Sequence, residues 1–351
     1  MRGAMLSSWA CIAVLMLALC VCSTAASKAS TTGAKQDTSC WPPESEVDAL
    51  VLLYHRLGGV EWRKADNWLK GNPCGVGPRD SKNWIGVLCG PCRENVRHVE
   101  VLALEWNNLS GKLGDWIGKF PEMQVLNFGT NALSGEMPAA IGLLKQLRVL
   151  KLSYNRMEGK LPKELYAMST LEMFDVVYND FVGNVNDAFA AWPLLKIYNV
   201  RGNRGFGGDL TAAKSDIAKL TGLKVLDLHW NHIGGDLPAE LFQLPKLEQL
   251  SMANNDISGS LPSTFACKSL RTLQLSDNYI EGPIPDAIGE LTQLDVLDLE
   301  KNDLSGPLPA SIGNLKKLTE LRLRYNQLRG PLPNSLFTLP LVRHIISSLC
   351  T

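Results

Sequence analysis

The sequence has no excess of charge of either sign, because its 351 residues include 35 lysines and arginines and 35 aspartates and glutamates. This balance argues against nucleic acid as the main partner, since nucleic-acid binding depends on a basic surface. No apolar run beyond the N-terminus reaches the roughly 20 residues that a membrane-spanning helix needs. Hydrophobic residues make up 45% of the chain, an ordinary globular proportion that excludes a disordered or collagen-like chain.

The one long apolar run lies at the N-terminus, at 9–22, with Arg2 before it and small residues after it. The run is short for a signal anchor, and Thr24 and Ala26 suit the −3 and −1 positions of a cleavage site. We therefore expect a signal peptide at 1–26, followed by a flexible lead-in at 27–39 that lacks large apolar residues. The expected location is the secretory pathway, with the mature protein extracellular or on the cell surface.

Cysteines are few, and export decides how they are used. The six beyond the expected signal peptide are Cys40, Cys74, Cys89, Cys92, Cys267 and Cys350. The first four lie close together and predict two disulfides that staple a small cap at 40–98, with three possible connectivities. Cys89-Gly-Pro-Cys92 also spells a redox tetrapeptide, and three of the four cysteines with His98 could be arranged around zinc. An oxidising compartment favours disulfides over both alternatives.

A repeat of the form L-x-x-L-x-L-x-x-N-x-L-x-G-x-L-P dominates from Val99 onward. Its asparagines, here called the ladder asparagines, are Asn107, Asn131, Asn155, Asn179, Asn203, Asn231, Asn255, Asn278, Asn302 and Asn326. Of the nine intervals between them, seven are 24 residues long, one is 28 and one is 23, a regularity that cannot arise by chance. The period predicts a solenoid at 99–341 in which each turn buries its leucines against its neighbours.

The apolar positions three and five before each ladder asparagine share one face of a short strand, because side chains alternate along a strand. The apolar position eight before it is expected to close the interior of the same turn. Stacked turns then form a parallel sheet, and the asparagine amide is expected to bond backbone groups where the chain turns inward. A glycine four residues after most of the asparagines permits a tight backbone path.

These residues resemble the plant-type extracellular leucine-rich repeat family, which includes receptor-like ectodomains and secreted inhibitors similar to polygalacturonase inhibitors. The strings at 150–162 and 297–309 match its motif almost position for position. The resemblance implies an α/β repeat fold, a leucine-rich repeat solenoid of about ten 24-residue repeats with a parallel concave β-sheet and a disulfide-stapled N-terminal cap. It also implies that Cys74 pairs with Cys89, which leaves Cys40 for Cys92.

Two departures from the pattern mark places where the fold should differ. The fifth copy runs four residues long, with a Gly-rich stretch at 202–209 that should bulge from the edge of the coil, followed by a helix at 211–220. The family's paired C-terminal cysteines are absent. We therefore expect 342–351 to be a partial repeat or minimal cap, or the sequence to stop ahead of a stalk, membrane span or kinase.

The outward residues of the strands are the candidate binding surface. Those directly before the ladder asparagines are Trp106, Thr130, Tyr154, Tyr178, Gly202, Trp230, Asn254, Asp277, Lys301 and Tyr325. Half are large aromatics, and the middle copies add charged residues two and four positions before the asparagine. Aromatic anchors among charges are typical of binding hot spots, although such rings can also simply cover the sheet. The predicted ligand-binding residues are Tyr154, Asp175, Tyr178, Arg201, Asp227, His229 and Trp230.

Catalytic chemistry finds little support in the sequence. Asp227, His229 and His232 suggest a metal site, but His232 follows the ladder asparagine and should lie past the turn. No nucleophile, base and orienting group stand together, so we expect neither an enzyme nor a cofactor or metal. Asn108 lies in the single glycosylation sequon.

The predicted function is an extracellular recognition module of receptor type, or one displayed on the cell surface. It is expected to bind a protein, peptide or glycan on the concave face. The alternatives are a secreted inhibitor of an extracellular hydrolase and, from a third class, a thiol oxidoreductase.

Overall fold

The computed structural model describes residues 40–75, 82–339 and 345–346. The expected signal peptide (1–26), the lead-in (27–39) and all but two residues of the expected C-terminal segment (342–351) lie outside the described residues, as does Cys350. None of the helices in the described part has the length and apolar character of a membrane span.

The main sheet has twelve strands, one from each repeat, with one added before the repeats and one after them. The strands are Val87–Cys89, Val99–Ala103, Val125–Asn127, Val149–Lys151, Met173–Asp175, Ile197–Asn199, Val225–Asp227, Gln249–Ser251, Thr272–Gln274, Val296–Asp298, Glu320–Arg322 and Ile345–Ile346. The first pair is antiparallel and all the others are parallel. Leu147, Leu150 and Leu152, at the three apolar positions of one repeat, are completely buried, which confirms the predicted leucine-rich repeat solenoid.

A second layer of strands, which the sequence pattern did not predict, follows the ladder asparagines. Seven of these strands form one sheet: Ser110–Lys112, Ala132–Gly135, Arg156–Lys160, Asp180–Asn184, Gly205–Asp209, His232–Asp236 and Asp256–Ser258. Three more form a separate sheet: Glu281–Pro283, Asp303–Gly306 and Gln327–Leu328. The glycine four residues after the ladder asparagine adopts a positive φ in most repeats, as at Gly159 (81°) and Gly259 (81°), a conformation that glycine reaches without a steric cost.

Short helices complete most of the repeats. The α-helices are Glu44–Arg56, Val185–Ala191 and Lys214–Ile217. The 3₁₀ helices are Gly59–Glu61, Asp115–Lys119, Ala139–Leu143, Lys163–Ala167, Leu210–Ala213, Ala239–Gln243, Asp286–Glu290, Ala310–Asn314 and Asn334–Thr338. Six of them follow a proline, as Ala139–Leu143 follows Pro138. Asn186 replaces this proline in the fourth repeat. The side chain of Asn184 caps the helix there by accepting the N–H of Asn186 (3.0 Å), which is consistent with the longer α-helix at that position.

Seven of the ten ladder asparagines are buried, and they bond backbone groups as predicted. Asn179 is 4% exposed. Its Nδ2 donates to the carbonyls of Leu152 (2.9 Å) and Val176 (3.1 Å), and its Oδ1 accepts the N–H of Met157 (3.0 Å). The Asn179 amide therefore joins its own repeat to the preceding one, and the asparagine holds the turn without contributing a contact surface.

The fifth repeat contradicts one prediction. The Gly-rich stretch does not bulge from the coil, since Gly205–Asp209 is a regular strand paired with its two neighbours in the second layer. Glycine is tolerated there because the cross-strand hydrogen bonds and the buried Phe206 fix the segment. Much of the extra length lies instead in the helical turns Leu210–Ala213 and Lys214–Ile217. The α-helix predicted for 211–220 is therefore shorter than expected.

The cap contains the helix Glu44–Arg56 and the predicted disulfide framework. The helix ends at Arg56, ahead of Gly58 with a φ of 72°. Cys74 is bonded to Cys89, and Cys40 and Cys92 are each disulfide-bonded as well, which confirms the expected pairing. The redox tetrapeptide therefore does not form a disulfide of its own, because its first cysteine is bonded outside it.

Two further groups tie the cap to the first repeat. Glu46 is buried, and its carboxylate accepts the N–H of Val99 (2.8 Å) and lies 2.5 Å from Nδ1 of His98. His98 is therefore a partner of the cap helix.

Farther along the chain, Cys267 is a buried free thiol in the core, and burial raises its pKa to about 11. The neutral thiol acts as a small apolar side chain there.

Candidate functional site

The sequence pattern placed the residues directly before the ladder asparagines on the strands, but they lie in the turns that follow. Each main-sheet strand of the repeats ends four residues before its asparagine, and the chain then turns. Tyr154, Tyr178 and Trp230 have φ values of 56°, 49° and 56°, in the left-handed region. Their N–H groups donate to the next repeat, as Tyr178 does to the carbonyl of Arg201 (2.9 Å). These bonds hold a conformation that costs an isolated residue about 1–2 kcal/mol, and they stack the side chains in register.

Four of the seven predicted residues form one surface cluster. The rings of Tyr154 and Tyr178 are 5.1 Å apart between centroids, and those of Tyr178 and Trp230 are 6.0 Å apart. The guanidinium carbon of Arg201 lies 4.9 Å from the centroid of Trp230 and 5.7 Å from that of Tyr178. Tyr154 is 52% exposed and Trp230 is 39% exposed. We call these four residues the aromatic–arginine cluster.

Gly202 makes this cluster possible, and the sequence reading missed its role. It occupies the same turn position as the aromatics, one repeat after Tyr178 and one before Trp230. Nine other residues adopt this left-handed conformation with a side chain present, so the backbone alone does not require glycine. A Cβ atom at Gly202 would lie 2.6 Å from Cδ1 of Tyr178. The missing side chain therefore leaves a gap that the Tyr178 ring fills to reach Trp230.

The three other predicted residues lie on or just after the strands of the main sheet and are buried. Asp175 is 7%, Asp227 is 4% and His229 is 7% exposed. The carboxylate Oδ1 of Asp227 accepts the backbone N–H of His229 (3.2 Å) and lies 3.0 Å from Nδ1 of its ring. These polar groups are thus largely withdrawn from solvent. That they contact a ligand, rather than shape the surface above them, stays a prediction.

Burial raises the pKa of the Asp175 carboxyl from 3.8 to about 6. The positive charge of Lys151 and the N–H of Val177 act to lower this pKa, whereas the negative charges of Asp227 and Glu105 raise it further. Lys151 lies 2.5 Å from Glu105. Glu105 was not predicted, although it occupies the same place before its ladder asparagine as Arg201 and His229 do in theirs.

Asp175→Asn is expected to stabilise the fold at neutral pH. Because the folded-state pKa is raised, the folded protein binds the proton more tightly, and wild-type stability falls as pH rises from about 4 to about 6. The shift of about two pKa units corresponds to about 3 kcal/mol. Urea unfolding should show the variant more stable by up to that amount at pH 7 and no different at pH 4. Equal stabilities at both pH values would contradict the raised pKa.

The two sets of residues considered as metal ligands do not come together within the described part of the chain. His232 lies in the second layer of strands, and its Nδ1 is 3.8 Å from Oδ2 of Asp256. No group of three or more potential ligands converges among the described residues. Asn108 is exposed and its Nδ2 donates to the carbonyl of Glu61 (2.9 Å); its glycosylation stays a prediction.

The stacked parallel strands and the asparagine ladder are those of a leucine-rich repeat solenoid. The profile of the Leucine Rich Repeat family matches six segments, at 146–168, 222–244, 246–267, 269–291, 293–315 and 317–339. The resemblance to plant extracellular members is also confirmed, because the similar proteins are plant receptor-like proteins and receptor ectodomains.

Among curated proteins, Receptor-like protein 36 of Arabidopsis thaliana is 39% identical over 75 residues, or 21% of this chain and 10% of that protein. Receptor-like protein 41 of the same plant is 38% identical over 90 residues, or 24% of this chain and 10% of that protein. The matched part thus spans about a tenth of the length of these relatives.

Among solved structures, PEPR1 with AtPEP1 has a TM-score of 0.67 at 29% identity, covering 88% of this chain and 46% of the other. The Arabidopsis receptor kinase HAESA, in complex with the peptide hormone IDA and the co-receptor SERK1, has a TM-score of 0.63 at 27% identity, covering 73% and 43%. A plant ice-binding protein, at 22% identity and a TM-score of 0.64, shares the fold.

Proposed function

We propose that this chain is an extracellular recognition module of receptor type, and not an enzyme, that binds an extended peptide along the main sheet. The observation that carries the proposal is the aromatic–arginine cluster. Its rings present apolar area that the fold leaves uncovered, and Arg201 supplies a cation held between two of them. Aromatic and arginine side chains carry most of the energy at protein interfaces.

The geometry favours a peptide over a small molecule. The cluster runs across four repeats, and neighbouring strands of a sheet are about 4.8 Å apart, so the surface is long and shallow. A peptide hormone, IDA, is also bound in the similar structure of HAESA. The alternative of a hydrolase inhibitor would use the same surface and stays a prediction.

The sheet is prepared for such a ligand before binding. Ladder amides and cross-repeat N–H bonds hold the turn residues that carry the cluster, as Trp230 N–H donates to the carbonyl of Ala253 (3.0 Å). A surface that is already ordered loses little conformational entropy when a ligand binds. Recognition therefore depends on how the cluster is assembled, which gives the proposal a test away from the contacting side chains.

Gly202→Ala should weaken binding without removing any contact residue. The added Cβ displaces the Tyr178 ring from Trp230, so retention of peptides selected from a phage-displayed library of random linear sequences should fall about tenfold. The free energy of unfolding should fall by about 1–2 kcal/mol, the cost of placing a residue with a side chain in the left-handed region.

Gly71→Ala is the matched control for this experiment. Gly71 also has a positive φ, 62°, and its Cβ would meet nothing within 4 Å, so it reproduces the backbone cost alone. Peptide retention should be unchanged in this variant. If no peptides are recovered on the wild-type protein, or if those recovered bind the Gly202 variant as tightly, the proposed site is wrong.

A further inference from the structure

One residue is inserted directly after the ladder asparagine of the fifth repeat. The stretch 203–209 reads N-R-G-F-G-G-D, whereas the corresponding stretch of the next repeat, 231–236, reads N-H-I-G-G-D. Asn231 N–H donates to the carbonyl of Asn254 (3.3 Å), but in the fifth repeat the equivalent bond, to the carbonyl of Trp230 (3.3 Å), comes from Arg204. Arg204 has a φ of 58°, so the insertion is absorbed as an extra left-handed residue.

The insertion breaks the asparagine ladder at one point. The N–H of Phe181 donates to Oδ1 of Asn203 (3.1 Å), and that of Ile233 donates to Oδ1 of Asn255 (3.1 Å). Phe206 is the equivalent residue for Asn231 but does not donate to it. Asn231 is 5% exposed, and its Oδ1 has no hydrogen-bond partner among the described residues. A buried acceptor without a partner costs about 1–3 kcal/mol.

A depression of about 270 Å³ lies at this break, lined by Arg204, Trp230, Asn231 and His232. Arg204 is exposed and forms no ion pair within the described part of the chain. His232 is 3.8 Å from Asp256, and both side chains are well exposed, so the attraction between them is weak. The lining thus combines two basic side chains with an indole, and it includes no carboxylate.

We infer that this depression anchors an acidic side chain of a peptide ligand, an inference that rests on the proposed function. Arg204 and His232 bind the carboxylate, and the indole of Trp230 packs against an apolar part of the same peptide. An inorganic anion satisfies the basic groups but offers the indole no apolar surface, so a peptide fits the lining better. Trp230 belongs to both the depression and the aromatic–arginine cluster, and one extended chain can therefore occupy both.

The test uses two pools of short peptides that are random at every position except a central residue, which is glutamate in one pool and glutamine in the other. Wild-type protein, immobilised as the full mature chain, should retain the glutamate pool about tenfold better. Arg204→Gln should remove this preference. Arg324→Gln is the matched control, because Arg324 is also exposed and lies 5.7 Å from the ring of Tyr325; the preference should survive in that variant.

The outcomes separate this inference from the proposed function. If wild-type protein retains both pools equally, or if the preference for glutamate survives Arg204→Gln, the anchoring subsite is wrong while peptide recognition stands. If neither pool is retained above background, peptide recognition fails, and the subsite fails with it. Loss of the preference in both Arg204→Gln and Arg324→Gln would show a general effect of net charge and would also overturn the subsite.

Discussion

Replacing Tyr178 and Trp230 together with alanine is expected to reduce peptide binding at least about 100-fold. The two rings form the centre of the aromatic–arginine cluster, and Arg201 packs against both. Truncation of a central hot-spot residue costs about 2 kcal/mol or more, and every 1.4 kcal/mol is a factor of ten in affinity. The free energy of unfolding should change little, because both rings lie on the surface, outside the buried core.

Peptides selected on the wild-type protein provide the measurement, with affinities determined for each variant by titration. Tyr279→Ala combined with Tyr325→Ala is the control, since these tyrosines are 59% and 61% exposed in other repeats. That variant should bind as wild type does. If the selected peptides are indifferent to the loss of Tyr178 and Trp230, the aromatic–arginine cluster is not the binding surface.

Asn179→Ala should produce the largest loss of stability of any substitution considered, about 4 kcal/mol. The change leaves the N–H of Met157 without its acceptor. It also removes one of the two ladder amides bonded to each of the carbonyls of Leu152 and Val176, which keep Asn155 and Asn203 respectively. An abandoned buried N–H costs about 1–3 kcal/mol, and each lost amide bond costs about 1 kcal/mol. Urea unfolding followed by circular dichroism should show a lower midpoint with little change in slope.

Asn231→Ala is the informative comparison because the same side chain makes fewer bonds there. Its Nδ2 donates to the carbonyls of Val200 (3.2 Å) and Leu228 (3.1 Å), but its Oδ1 accepts nothing from the described residues. The loss of stability should be smaller than that for Asn179→Ala by about 1 kcal/mol. Equal losses would show that the ladder is not broken at the fifth repeat.

Much of the fold could be predicted because the same pattern of apolar residues and asparagine recurs in each repeat. Leu150 and Leu152 alternate as a strand requires, and Asn155 recurs where a buried amide is needed. The second layer of strands was missed, since the segment after Asn179 has no strong alternation of its own and is extended because its neighbours are. The fifth repeat was misplaced for the same reason, because its glycines suggested a bulge that cross-strand bonds forbid.

The candidate site was only half accessible from the sequence. The period placed Tyr154, Tyr178 and Trp230 in one column, because residues one repeat apart must stack. It could not show that Gly202 lets two rings meet across an intervening repeat, since that depends on the direction in which the Tyr178 side chain leans. Nor could it show that Asp227 and His229 bond each other beneath the surface.

The sequence by itself determined the class of protein, the repeat boundaries and the cysteines that staple the cap, because these follow from spacing and compartment. The tertiary structure alone decided which polar residues are covered, how the aromatic rings and Arg201 assemble, and where the ladder is broken. The reason is physical: periodicity fixes which residues are neighbours. The raised pKa of Asp175 and the unpaired oxygen of Asn231 depend on how those neighbours fill the space between repeats.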